Sequence, residues 1–301
     1  MMRISPNEIS IADLEASNII YGQTSKFEKS QYFYRPFEDQ ASNLFTFRDR
    51  QQHLQDKRLI SHAFSRTNII QNQTSIYDHG IYLMERIAQR AEDSETIPLL
   101  NAFRCMKLDT ISDFAFGKST DALKLENFQS VILNAIDNAT HSVPFFQHFP
   151  ILREVLRWLS YYNVNSVPNG FLELGQVASN GFQEMHASNT WTMFKNMIAS
   201  AEKKSQTLSK EHLIAEAIVM IVAGTDTTAV ALSTTLHKLL QMPELYHKLQ
   251  EEVWTIMPSI ESQPAFDKFD TLPLLDACLK EGLRISCPSR VRLPRTVPAE
   301  G

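Results

Sequence analysis

The run IVMIVAGTDTTAVALSTTL, residues 218 to 236, constrains this chain more than any other stretch. It lies inside a segment that reads as one helix from Ser209, an N-cap residue with Glu211 in the first turn, to about Gln241, where Pro243 stops it. At ~1.5 Å per residue such a helix is roughly 45 to 50 Å long, enough to cross a whole domain. Its middle holds Gly224, Thr225, Asp226, Thr227 and Thr228, where leucines would pack better. Burying a carboxylate is costly unless it is paired, protonated or used. Two readings follow from these residues alone. In the structural one, the threonines bond back to their i−4 carbonyls and Gly224 marks a bend. In the functional one, Thr227 and Asp226 move protons to something bound against the helix, and Gly224 lets a large flat ligand approach the backbone.

The rest of the chain also reads as mainly helical. RISPNEISI alternates like a short strand. RDRQQHLQDKRLISHAF is an amphipathic helix, IPLLNAFRCMKLDTISDFAFG a more apolar one stopped by Gly117, and FQSVILNAIDNATHSV a third ended by Pro144. PFFQHFPILREVLRWLSYY carries an aromatic cluster and a short amphipathic helix, residues 160 to 170 read as a loop, and residues 170 to 204 as mixed helix. PELYHKLQEEVW and FDTLPLLDACLKEGLRI are two more helices, closed by an extended tail. With 301 residues, 43% of them apolar, the chain can build a substantial core, and residues 1 to 301 read as one domain. A formal charge of −5 and a pI near 6.0 argue against a nucleic-acid partner. Cys105, Cys278 and Cys287 make no disulfide framework, which points to a reducing compartment. The sequons at Asn72 and Asn138 then read as chance matches. There is no signal peptide, and the run AIVMIVAG is too short to span a membrane.

Two further constellations stand out. His53 and Lys57 lie one turn apart with Arg58 beside them: either a solvated cationic face or a clamp for an anionic group, with Arg290, Arg292 and Arg295 as its second side. Glu281 and Arg284 share a helix face three residues apart: as a lone pair they read as a solvated surface bridge, but the apolar flank LPLLDACL points to a buried pair with a scaffold role.

Taken together, these motifs resemble those of the cytochrome P-450 family. AGTDTT is similar to its oxygen-activation motif, EGLR to its Glu-x-x-Arg motif, and HLQDKRLISHAFS to its helix with a His or aromatic and a basic residue four positions on. RISPNEISI, TISDFAFG and PSRVRLPRTVPAEG look like segments of fungal biosynthetic members, so the resemblance covers essentially the whole chain. It implies a mainly α fold with small β-sheets, incomplete at both ends, and a haem (heme) cofactor. It further implies Asp226 and Thr227 as the catalytic pair, His53, Lys57 and Arg295 at the haem propionates, and Gly224 beside the cofactor. Glu281 and Arg284 become the structural motif. Lys57 stands where Arg is more usual, keeping the charge but losing the bidentate fork. The family's haem-ligating cysteine loop lies beyond Gly301, so none of the three cysteines is expected to bind the metal. An NADPH-dependent reductase is the implied electron donor. An apolar small molecule, such as a secondary metabolite, is the implied substrate. Residues 145 to 159 would lie near a membrane surface. The complete family member would sit on the cytosolic face of the endoplasmic reticulum; a chain without its anchor would be soluble. The reading of a different class is a haem-free, inactive remnant or binding protein.

Overall fold

A computed structural model describes residues 1–38, 41–161 and 170–299. The chain is mainly α-helical. The helices are α1 (Leu14–Tyr21), α2 (Gln31–Tyr34), α3 (Arg50–Ile60), α4 (Arg66–Gln71), α5 (Gln73–Glu92), α6 (Leu99–Phe116) and α7 (Val131–His148). They continue as α8 (Pro150–Tyr161), α9 (Gly170–Ala187), α10 (Met193–Glu202), α11 (Lys210–Leu240), α12 (Pro243–Trp254) and α13 (Pro273–Ser286). Two small antiparallel sheets accompany them, β1 (Met2–Ser5) with β2 (Glu8–Ser10), and β3 (Glu28–Lys29) with β4 (Arg295–Thr296).

The long helix is α11, 31 residues, and its ends are where the sequence puts them. Ser209 caps it by accepting a hydrogen bond from the His212 N–H at 3.2 Å, and Pro243 opens the next helix. Its length and composition would let it cross a membrane, which the shorter run AIVMIVAG does not reveal. Instead it threads the protein core. It packs most extensively on α6, and also on α13 and α9. Ala217, Ile218, Ile221 and Ala229 of α11 join Leu108, Ala115 and Phe116 of α6 in one apolar cluster. Phe116, Phe182 and Phe194 close that cluster as a mutually packed ring triplet, 4.8 to 5.4 Å between centroids.

Local chemistry explains most boundaries. Gly117 ends α6 at φ 79°, a left-handed conformation that a Cβ disfavours. Buried Asp109 accepts from the Ala122 and Leu123 N–H groups and the Thr120 hydroxyl, which pins the turn after α6. RISPNEISI is not one strand but a hairpin, β1–β2, because Pro6 and Asn7 supply its turn. Pro144 does not end α7, which runs four residues further to His148. Most of the expected loop after Tyr161 lies outside the described residues.

Candidate functional site

Asp49 caps α3 by accepting from the Gln52 N–H at 2.8 Å, and this sets the helix phase that aims His53 and Lys57 the same way. Both line a cleft of about 830 Å³, together with Lys29, Arg48, Arg50, Arg58 and Arg295. Arg295 arrives through the β3–β4 pairing, whose register sets Lys29 directly opposite Arg295. Like charges placed so repel unless something holds them. Lys29 Nζ donates to the Leu44 and Phe45 carbonyls at 3.0 and 2.7 Å, while the Arg295 guanidinium lies over the Tyr21 and Tyr34 rings and donates to the Tyr34 hydroxyl. Burial, then the Arg295 charge, pulls Lys29 down to about 8, although Glu216 opposes this. Burial and the Lys29 and Lys57 charges also lower His53. Lys57 is exposed, and neither it nor His53 makes a hydrogen bond or ion pair with any described side chain. Lys29 is the member that the sequence did not reveal. Arg292 and Arg290 do not belong: Arg292 pairs with Glu8 at 2.9 Å, and Arg290 donates to the Ser286 carbonyl.

On α11 the polar residues separate by face. Thr225 is fully buried and donates to the Ile221 carbonyl at 2.7 Å; Thr227 is half-buried and donates to the Ala223 carbonyl at the same distance. Ala223 itself is exposed, one turn before Thr227, on an otherwise apolar helix. Asp226 is held by Arg104 of α6, with Nε to Oδ1 at 2.7 Å and Nη2 to Oδ2 at 3.3 Å. The same guanidinium grips Asp137 of α7 at 2.6 and 3.2 Å. Burial works against the charge of Arg104, but the two carboxylates outweigh it and raise its pKa. At Gly224 the position of the missing side chain is taken by Ile111 of α6, while Gly224 also lines a cavity with Thr228 and Ile111. A Cβ there would lie 2.8 Å from Ile111 Cγ1.

Glu281 and Arg284 depart from expectation. They form the pair, with two hydrogen bonds of 2.6 Å, but its side chains are 57% and 71% exposed rather than buried. The apolar flank misleads because Leu279 and Leu283 are themselves exposed in the described structure. What the motif contributes to packing is Gly282, where a Cβ would collide with Thr235 Oγ1 and sit 2.9 Å from Thr235 Cβ on α11. Gly282→Val should therefore wedge α13 from α11 and cost about 1–3 kcal/mol. Glu281→Ala should leave the denaturation midpoint unchanged. Urea unfolding of the two variants side by side decides between packing and pairing.

The three cysteines occupy different surroundings. Cys105 is buried with its Sγ 3.4 Å from the Phe128 carbonyl, and burial pushes its thiol up to about 12. Burial also raises Cys278, and Cys287 is the exposed left-handed cap of α13.

The cytochrome P450 family model matches residues 8–300. The chain belongs to the cytochrome P450 family. Among curated P450 relatives, cytochrome P450 monooxygenase macH of Penicillium terrestre is 29% identical over 311 residues, covering 100% of this chain and 61% of the relative. Cytochrome P450 monooxygenase flvC of Aspergillus flavus is 25% identical, covering 98% of this chain and 56% of the relative. Cytochrome P450 monooxygenase ppzE of Metarhizium majus is 25% identical, covering 98% and 64%. The chain thus spans about six tenths of the length of these P450 relatives.

Proposed function

We propose that this chain carries the haem-edge and proton-handling parts of a monooxygenase that oxidises an apolar small molecule in fungal secondary metabolism. The observation that carries the reading is the cleft in which His53, Lys57, Lys29 and Arg295 converge. A cationic cleft with two uncommitted members fits the pair of carboxylates on a haem edge. Haem, when bound, supplies oxygen activation. Lys57, His53 and Arg295 would hold its carboxylates, with Tyr21 and Tyr34 fixing the guanidinium plane. Thr227 keeps a hydroxyl on the face that Ala223 leaves open, and Asp226 exchanges protons with water while Arg104 fixes its orientation. Electrons come from an NADPH-dependent reductase.

The test is coupling. In the haem-loaded protein with its reductase, Thr227→Ala should consume NADPH while releasing peroxide in place of product. Asp226→Asn should slow turnover instead. Unchanged coupling in both variants would remove these residues from the proton path.

Location at the cytosolic face of the endoplasmic reticulum is part of the same proposal. Phe145, Phe149, Ile151 and Val155 expose an apolar face at the end of α7 and along α8, with Ile151 81% exposed. Such a face suits an interfacial contact. Ile151→Asp should lower sedimentation with phospholipid vesicles, and equal sedimentation would exclude this face.

The second reading is a haem-free binding protein. The absorption of the reduced chain with carbon monoxide separates the two, since a thiolate signature from this chain would require one of Cys105, Cys278 or Cys287.

A further inference from the structure

Away from the cationic cleft, α3 turns its other face toward the start of α11. There Asp56 meets His212 and Glu216, which are one helical turn apart. The ligand-type atoms of these three residues lie within 4.8 Å of one another. Asp56 Oδ2 and His212 Nε2 form an ion-pair contact at 2.9 Å that is out of hydrogen-bond alignment, and Glu216 Oε2 has no aligned hydrogen-bond partner among the described residues. Glu216 is fully buried, and Asp56 nearly so. Two carboxylates and an imidazole that converge inside a protein, without well-aligned hydrogen bonds among their facing atoms, are costly unless something shared lies between them.

The outward-facing atoms of the triad are already tied down. His212 Nδ1 donates to the Ser42 carbonyl at 3.3 Å, which leaves Nε2 as the inward nitrogen. Glu216 Oε1 accepts the Leu44 N–H at 2.5 Å, which leaves Oε2 inward. A ring N–H on a backbone carbonyl and a hydrogen-bonded carboxylate are the outer partners that orient ligands in metal sites. We propose that Asp56, His212 and Glu216 form a binding site for a divalent transition metal of the zinc type, independent of any haem. One imidazole and two carboxylates suit that class of ion. With bonds of about 2.0–2.2 Å, the ligand atoms draw together by roughly 1.5 Å at their widest, and one position remains for water. The ion clips α3, which carries His53 and Lys57, to α11, which carries Asp226 and Thr227. Through Ser42 and Leu44 it also fixes the loop that holds Lys29.

The competing occupant is a proton. Burial pushes the Glu216 carboxyl up to about 8, and a protonated Glu216 would satisfy the same geometry. Glu216→Gln imitates that protonated form, so it keeps the fold and removes a metal ligand.

The test is titration of the 301-residue chain with Co²⁺ and, by calorimetry, Zn²⁺. The wild type should take up one Co²⁺ with visible absorption bands and bind Zn²⁺ in the micromolar range or tighter. Glu216→Gln, with an unchanged circular dichroism spectrum, should lose at least about 100-fold in affinity, beyond the 10–100-fold carried by outer partners alone. Asp56→Asn serves as the second shape-preserving variant if Glu216→Gln unfolds. Equal binding by wild type and variant, or no Co²⁺ bands at millimolar metal, overturns the site and leaves the proton as the occupant.

Discussion

Arg104→Ala should destabilise the protein by about 3 kcal/mol, the low end of what breaking a buried charge pair costs. The guanidinium side chain is only 11% exposed, and it is shared between Asp226 on α11 and Asp137 on α7. Removing it leaves two facing carboxylates without a counter-charge, and both must find water or a proton. They are 31% and 41% exposed, so water softens the loss and keeps it from the upper end of the range. Because Arg104 also orients Asp226, the variant should slow turnover in the haem-loaded protein beyond what its stability loss explains. Arg104→Lys keeps the charge but not the two-sided fork, and should recover stability only in part. Equilibrium unfolding checks the first effect. A stability loss for Arg104→Ala no larger than that for Glu281→Ala would return the structural weight to the exposed pair.

Charge reversal at Lys57 has the second large effect. Lys57 has no hydrogen-bond or ion-pair partner to lose among the described residues, so Lys57→Glu should fold normally. It removes an attraction for an anionic ligand and adds a repulsion. Hydrogen bonds to charged groups contribute about 1.5–3 kcal/mol, so haem affinity should fall by about tenfold to a hundredfold. Arg295→Gln should weaken haem similarly, with some cost in stability from the lost contact with Tyr34. The same cleft predicts a pH dependence. Lys29 is held down to about 8, so its folded form takes up its proton only below that pH. An anion favours the protonated amine. Affinity for it should therefore be highest below pH 8 and decline as pH rises through that value, a trend that absorption titrations at about pH 6.5, 7.5 and 8.5 would show.

Local signals wrote the ends of α11 and α6 into the sequence. Ser209, Pro243 and Gly117 act on their own neighbours, and no distant contact is needed to read them. The clamp was half legible for the opposite reason. His53 and Lys57 share a helix face, whereas Lys29 joins them only because β3 and β4 pair across the whole chain. Arg104 gave a signal that periodicity alone does not interpret: a lone guanidinium in LLNAFRCM needs an acid, and α11 and α7 each supply one. The EGLR stretch misled because flanking leucines say that a helix has an apolar face, not which neighbour covers it. Gly224 was legible only as a close approach. A missing side chain marks a close approach, and here the approaching group is Ile111.

The most direct test of the account compares haem with its dimethyl ester, in which both propionate carboxylates are neutralised. If the cleft of His53, Lys57, Lys29 and Arg295 receives those carboxylates, the wild-type chain should bind haem more tightly than the ester, and Lys57→Glu should erase most of that difference. Equal affinity for haem and ester, unchanged in Lys57→Glu, would contradict it.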